Sequence, residues 1–252
     1  MTMVNGGGSD IIQGGAVFSA GTLTLQDCIF NANRADPDGG AVYAEGHSLT
    51  INGCVFQANE ARYGGAINAN TETVSISNST ITGNKARGQG AVPGVTGDGG
   101  GIFLGEGVHS ATISNTSVSG NTANVNGYGG GIYVSGGTAA FPTVLTLTGV
   151  TIASNHAGLG GGGLAIGLSS DCTVFMEDVV IAGNSASNGG GDSKGGGVYL
   201  GGGTLYTTNT LITVNSADIG GGLYQASGAV WHAGEGTAVW LNFPDDVVIE
   251  DD

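Results

Sequence analysis

The chain has 252 residues, 20 acidic and 5 basic, for a formal net charge of −15. That balance disfavours nucleic acid and anionic membrane surfaces as partners, because both repel an acidic chain. No apolar run approaches the ~18 residues of a membrane-spanning helix, and 52 glycines argue against long helices of any kind.

The chain opens with Met1-Thr2-Met3-Val4 and a glycine-rich stretch, without the basic and apolar regions of a secretory signal. Export is therefore expected to rest on a signal elsewhere, or on a longer parent chain. Residues 1–13 read as a partial coil or N-terminal cap, with Ile11 and Ile12 as its apolar pair. From Gly14 onward one unit recurs. Gly39 to Asn59, GGAVYAEGHSLTINGCVFQAN, shows it whole. Its glycine start returns at Gly14, Gly39, Gly64, Gly99, Gly129, Gly161, Gly195 and Gly220, at spacings of 25, 25, 35, 30, 32, 34 and 25. Its closing Asn returns at Asn33, Asn59, Asn84, Asn121, Asn155, Asn184 and Asn215.

Counting back from each Asn fixes the register. Three residues before it stand Phe30, Phe56, Ile81, Val118, Ile152, Ile181 and Ile212. Eight before it stand Leu25, Ile51, Ile76, Ile113, Leu147, Met176 and Thr207. Three after each glycine start stand Val17, Val42, Ile67, Ile102, Ile132, Leu164, Val198 and Leu223. Alternation at period 2 within these runs predicts strands. A self-similar unit of ~20–50 residues predicts a solenoid, propeller or array, and the 25-residue copies are too short for a propeller blade. The expected fold is all-β: a single right-handed parallel β-helix of about eight coils over residues 14–225, each coil holding short strands and tight turns.

Insertions follow Asn84 (Lys85 to Asp98) and Asn184 (Ser185 to Lys194) at one corner, and Thr138 to Pro142 lengthens another. In solenoids insertions map to loops, often on a binding face. Beyond Tyr224 the pattern fades, so residues 226–252 read as a C-terminal cap and a solvated acidic tail.

The closing Asn has two structural uses: tolerating left-handed dihedrals at a turn, and bonding its copies in a ladder. Cys28 and Cys54 share one slot in adjacent coils and read as buried small side chains, bonded only if geometry permits. Cys172 stands apart, and no cysteine spacing implies a metal site.

Phe30-x-x-Asn33 and Phe56-x-x-Asn59, with Gly39-Gly40-Ala41-Val42 and Gly64-Gly65-Ala66-Ile67, resemble the FxxN and GGA(I/L/V) repeats of chlamydial-type polymorphic outer-membrane proteins. Later copies, such as Ile81 to Asn84 and Gly129 to Ile132, are similar to the broader bacterial family of right-handed β-helix repeats. The resemblance implies a bacterial surface passenger or adhesin without a cofactor. The chain departs from the polymorphic proteins after the third coil, where Phe gives way to Ile or Val, and it holds no C-terminal membrane barrel of the kind they carry.

Two surface constellations are candidate contact sites. Phe18, Tyr43, Phe103, Tyr133, Tyr199 and Tyr224 stand four residues after glycine starts, one beyond an inward aliphatic, so alternation points them outward. Outward aromatics can contact glycan rings; the competing use is stacking on one another over the glycine corner. Arg34, Arg62, Lys85 and Arg87 cluster just after the Asn of the first three coils. They form either an anion-binding corner or salt ladders between coils.

The acids lie mainly in turns, among them Asp36, Asp38, Asp98, Asp192 and Asp218, and His47, His109, His156 and His232 are scattered. No Ser/His/Asp set or carboxylate pair follows from the spacing, so an enzyme is the secondary reading, in the manner of carbohydrate-active β-helices. Calcium in the glycine-rich Asn5 to Asp10 and Gly189 to Asp192 loops is the one metal left open. An ice-binding array is suggested by Thr24, Thr50 and Thr146, and broken by Phe175 and Tyr206. The partners expected are a cell-surface glycan or protein, or the chain itself, stacked end to end through open strand edges.

Overall fold

Each full coil bends at three residues that hold left-handed dihedrals, and those three corners dictate the fold. One is the first glycine of each glycine start, for example Gly39 at φ 63° and Gly129 at φ 65°. A second lies six residues before the closing Asn: Asp27, Gly53, Asn78, Asn115, Gly149, Asp178, Asn209 and Gly236. Glycine, Asn and Asp tolerate that region at least cost, which explains the composition of the slot. The third lies immediately before the Asn, at Ala32, Ala58, Gly83, Gly120, Ser154, Gly183, Val214 and Leu241. The closing Asn residues themselves are therefore not the left-handed ones, contrary to one of their two expected uses.

Between corners run short strands. The computed structural model describes residues 1–6, 13–88, 96–167 and 171–251; Ile11, Ile12, most of the Asn5 to Asp10 loop and the middle of the Lys85 to Asp98 insertion lie outside them. Strands on the first face begin just after the glycine start, as in Ile102–Leu104 and Ile132–Val134. The second face holds the alternating runs, as in Ser110–Ser114 and Thr143–Thr148. These two faces merge into one 15-stranded sheet, because Val42–Asn52 and Ile67–Ser77 run through the bend between them. The third face is a 9-stranded sheet carrying the residues that precede each Asn, and a short 5-stranded sheet follows the Asn corner. All strand pairs within these sheets are parallel and in register, with Ile51 beside Ile76, Ile76 beside Ile113, and Ile113 beside Leu147. This is a parallel β-helix, and the right hand is the rule for parallel crossovers.

The slots counted from the Asn form the core. Phe30, Phe56, Ile81, Val118, Ile152, Ile181 and Ile212 are fully buried, as are Ile51, Ile76, Ile113 and Leu147. Phe30 and Phe56 stack at 4.7 Å between ring centroids. Thr207, the polar exception in its column, accepts from Trp231 Nε1 at 3.1 Å. Two residues after the Asn, a column of alanines (Ala35, Ala61, Ala86, Ala123, Ala157 and Ala186) is buried where the short sheet turns too tightly for larger side chains.

The Asn column is a continuous hydrogen-bonded ladder. From Asn33 to Asn215, the side-chain amide donates to Oδ1 of the Asn in the next coil at 2.9 or 3.0 Å. The backbone N–H of the same residue donates to the same Oδ1. The second amide hydrogen reaches a carbonyl of the preceding coil, as from Asn155 to Val118 at 2.9 Å. These buried amides thus spend both donors and the acceptor inside the stack.

The ladder continues past the repeat read from the sequence. Asn215 donates to Asn242, and Asn242 donates from both nitrogens to Asp246 Oδ1 at 2.9 and 3.0 Å. At the other end Gly6 N–H donates to Asn33 Oδ1 at 2.8 Å, while Thr2–Val4 pairs with Ile29–Asn31. Residues 226–251 accordingly continue the coils, with Val230–Ala233, Ala238–Trp240 and Val247–Ile249 added to the three faces. The expected solvated tail is instead partly a strand.

The cysteines are free. Cys28 and Cys54 occupy a slot continued by Ser79 and Thr116, where each backbone N–H meets the next coil's side chain: Cys28 N–H to Cys54 Sγ at 3.4 Å, and Cys54 N–H to Ser79 Oγ at 3.1 Å. The thiols sit where hydroxyls serve the same purpose, and are more than small apolar fillers.

Two predictions follow from these corners and ladders. Asn155→Ala leaves the backbone N–H and one amide hydrogen of Asn121 without an acceptor and should lower stability by roughly 1–3 kcal/mol, measured as a shift in urea midpoint. Val214 is β-branched, 61% exposed and held at φ 56°. Val214→Gly should raise stability by about 1 kcal/mol by relieving that conformation, read from thermal melts of the two proteins.

Candidate functional site

In-register stacking decides what the aromatic column can offer. Phe18 and Tyr43 stack at 5.8 Å, Phe103 and Tyr133 at 5.2 Å, and Tyr199 and Tyr224 at 5.6 Å. Rings stacked along the coil axis cover each other's faces and leave mainly edges to solvent. Phe18 is exposed, whereas Phe103, Tyr133 and Tyr199 are half-buried. Tyr43 is 7% and Tyr224 1% exposed. The expectation that all six point freely outward is corrected for these two. Tyr43 lies under Phe18 with its hydroxyl 3.1 Å from Glu45, and Lys194 donates to the Tyr224 hydroxyl at 2.7 Å. Burial, reinforced by Glu45, pushes the Tyr43 hydroxyl up to about 12.

The column is broken twice, at Asn68 and at Ala165, which stand in register with the rings. At Ala165 the break is bridged: Tyr128 leans over Gly160 to meet Tyr199 at 5.2 Å. At Asn68 it opens into a groove of about 590 Å³. Tyr43, Asn68 and Phe103 line one part, and Glu106, His109 and Phe141 the other. Asn68 is buried and donates to Asp38 Oδ1 at 2.9 Å. Burial holds the Asp38 carboxyl above its usual range, partly offset by the nearby Arg62. Phe141, from the Thr138 to Pro142 insertion, stacks on His109 at 5.0 Å and walls the groove.

The basic corner is closed by acids. Arg62 reaches Asp36 at 2.7 Å, Arg87 reaches Asp36 and Glu60 at 3.2 Å each, and Arg34 reaches Glu60 at 3.5 Å. Arg87 Nε is close to Glu60 without hydrogen-bond alignment. Two carboxylates thus link three guanidiniums from successive coils, and Lys85 stands exposed beside them. An open anion-binding corner was the alternative to this salt ladder. The interleaved carboxylates offset the charge an incoming anion would need.

The coils also bring together what spacing did not. His156 Nδ1 lies 3.0 Å from Ser185 Oγ, the roles of donor and acceptor depending on the tautomer. Burial lowers the basicity of His156. Among the described residues no carboxylate pairs with that ring, so the orienting third group of a nucleophilic triad is not assembled there. Among the described residues no three His, Cys, Asp or Glu side chains gather as a metal site. Phe175, Tyr206 and His232 stack on the second face at 5.1 and 4.6 Å. Phe175 and Tyr206 are 42% and 39% exposed and form a second aromatic column where they break the threonine array.

Asp98 is buried beneath this surface at 7% exposure. It accepts from Thr96 Oγ1 at 2.7 Å and from the Tyr128 N–H at 2.8 Å. Burial outweighs both bonds and pushes its pKa up to about 6. The folded state therefore holds this proton more tightly than the unfolded chain. The resulting stability is present below the unfolded value and lost as pH rises through about 6. Asp98→Asn keeps an acceptor for Tyr128 and removes the titration. Relative to the parent it should gain roughly 1–3 kcal/mol between pH 4 and pH 7, measured by denaturant titration at each pH.

Parallel coils, an internal Asn ladder and an open surface groove define a β-helix repeat module. Residues 27–45 match the Chlamydia polymorphic membrane protein repeat. The matched stretch runs from the first coil's Asp27 corner through Phe30-x-x-Asn33 to the second glycine start, so the resemblance carried by those motifs holds there. No curated protein and no solved structure matches the chain. Among the described residues no helix is long and apolar enough to cross a membrane.

Proposed function

We propose that the chain is a non-catalytic β-helix module of a bacterial cell surface, acting in adhesion or surface structure. The match of residues 27–45 to a repeat of polymorphic membrane proteins supports the surface setting. The observation that carries the binding role is the groove over Asn68. It joins aromatic rings, an amide and carboxylates at a concave site of about 590 Å³, the mixture by which binding sites hold and orient a ligand. Phe141 and Glu106, supplied by loops between strands, can vary without disturbing the coils. Calcium has no assigned place in this reading.

Purified chain should retain on bacterial or host cells in a pull-down and release no reducing ends from neutral or acidic polysaccharides. Ser185→Ala should leave both results unchanged. Turnover that Ser185→Ala abolishes would instead make the chain a carbohydrate-active enzyme. A self-associating filament is the second reading, favoured by Trp240 and Phe243, which are 51% and 73% exposed on the outermost coil. Light scattering across a concentration series separates it: growth into long particles without cell retention would replace adhesion by polymerisation.

A further inference from the structure

A stacked column of rings can bind another ring face-on only at its ends or where it is interrupted, and only an interruption offers a ring on both sides. The break at Asn68 is such a place. Tyr43 and Phe103 lie in register with Asn68 on either side of it, so two strand spacings separate them, about 10 Å. Neighbouring rings in this column sit 5.2 to 5.8 Å apart. One six-membered ring inserted at about 5 Å from each flank fills the span. Tyr63 packs tilted on Phe103 at 5.8 Å and fixes that flank from the adjoining column. The break at Ala165 is smaller: Tyr128 packs against Tyr199 there, and what remains is a cavity of about 90 Å³ lined by Tyr128, Tyr133, Gly167 and Tyr199.

We infer that the Asn68 break is a sugar-ring subsite, in which a neutral hexose unit of an oligosaccharide lies between Tyr43 and Phe103. This rests on the adhesive reading above and names its ligand class. The polar groups at hand choose hydroxyls over anions. Asp38 Oδ1 already accepts from Asn68, and Asp38 and Glu106 line the groove as acceptors for sugar hydroxyls. Among the described residues no Lys or Arg lines it, so an acidic sugar would meet like charge at Asp38 and Glu106, with the nearby Arg62 already paired to Asp36. The His109–Phe141 stack extends the same groove and offers the next unit of the chain a second aromatic wall.

The experiment is a glycan array of neutral and acidic oligosaccharides probed with the parent, Asn68→Tyr and Phe103→Leu, with melting temperatures and cell retention measured in parallel. Asn68→Tyr completes the ring column, removes the amide donor to Asp38, and should stay folded at a somewhat lower melting temperature while weakening neutral-glycan binding at least tenfold. Phe103→Leu keeps apolar volume but removes one ring face, and should lose binding comparably. Neutral-glycan binding by the parent that both variants lack supports the subsite. No neutral glycan bound, preference for acidic ones, or binding unchanged in a folded Asn68→Tyr overturns it. Parent and Asn68→Tyr retained equally on cells, with neutral-glycan binding also equal or absent in both, would leave the surface role standing and remove the subsite. A parent that binds neutral glycans but no cells would do the reverse.

Discussion

The structure depends on one constraint: every coil must place the same polar group at the same height as its neighbours. An interior Asn is costly unless its donors and acceptor are all met. Here the next coil supplies the acceptor and the preceding coil supplies a carbonyl, from Asn33 through Asn215, and Asp246 supplies the acceptor for Asn242. A coil shifted by one residue would leave several buried amides unpaired at once and turn every core side chain outward. The ladder therefore sets register, and register puts like residues above like. The Phe30–Phe56 pair, the alanine column, the arginine–carboxylate ladder and the outward ring stacks are all consequences of it.

That constraint also decides where the surface can act. Like residues in register satisfy one another: rings cover rings, and guanidiniums take the carboxylates beside them. A regular β-helix tends in this way to exhaust its own binding groups. Function is then expected at irregularities, where one coil carries a different residue or a loop. Asn68 within a column of aromatics, and Phe141 on an insertion, are two irregularities that meet in one groove.

The fold was legible because repetition compensates for weak local signals. No single run of five residues compels a strand, but seven copies of the same slot do. The last coil was missed because the slot eight before Asn242 holds Gly234 instead of an apolar residue, although Gly220 opens the coil and Val239-Trp-Leu-Asn242 keeps the spacing of the Asn slot. The site was less legible. Alternation tells whether a side chain leaves the core, not what lies above or below it, so Tyr43 and Tyr224 were read as exposed. The partners of Arg62 and Arg87 sit one or two coils away in the regular first coils, and spacing alone did not choose between a salt ladder and an open anion-binding corner. The closeness of His156 and Ser185 depends on aligning two coils of unequal length. Asp98 gave no signal beyond being an acid before a glycine; the groups near it, the Tyr128 N–H and the Tyr133 ring, belong to the following coil.

The most direct measurement of the ladder is native-state hydrogen exchange at the backbone amides of Asn59, Asn84, Asn121, Asn155 and Asn184. Each donates to a buried Oδ1 in the next coil. If the ladder holds the coils in register, these amides exchange only through global unfolding, all with one free energy. Exchange at these positions as fast as at fraying loops, with widely differing rates from coil to coil, would contradict it.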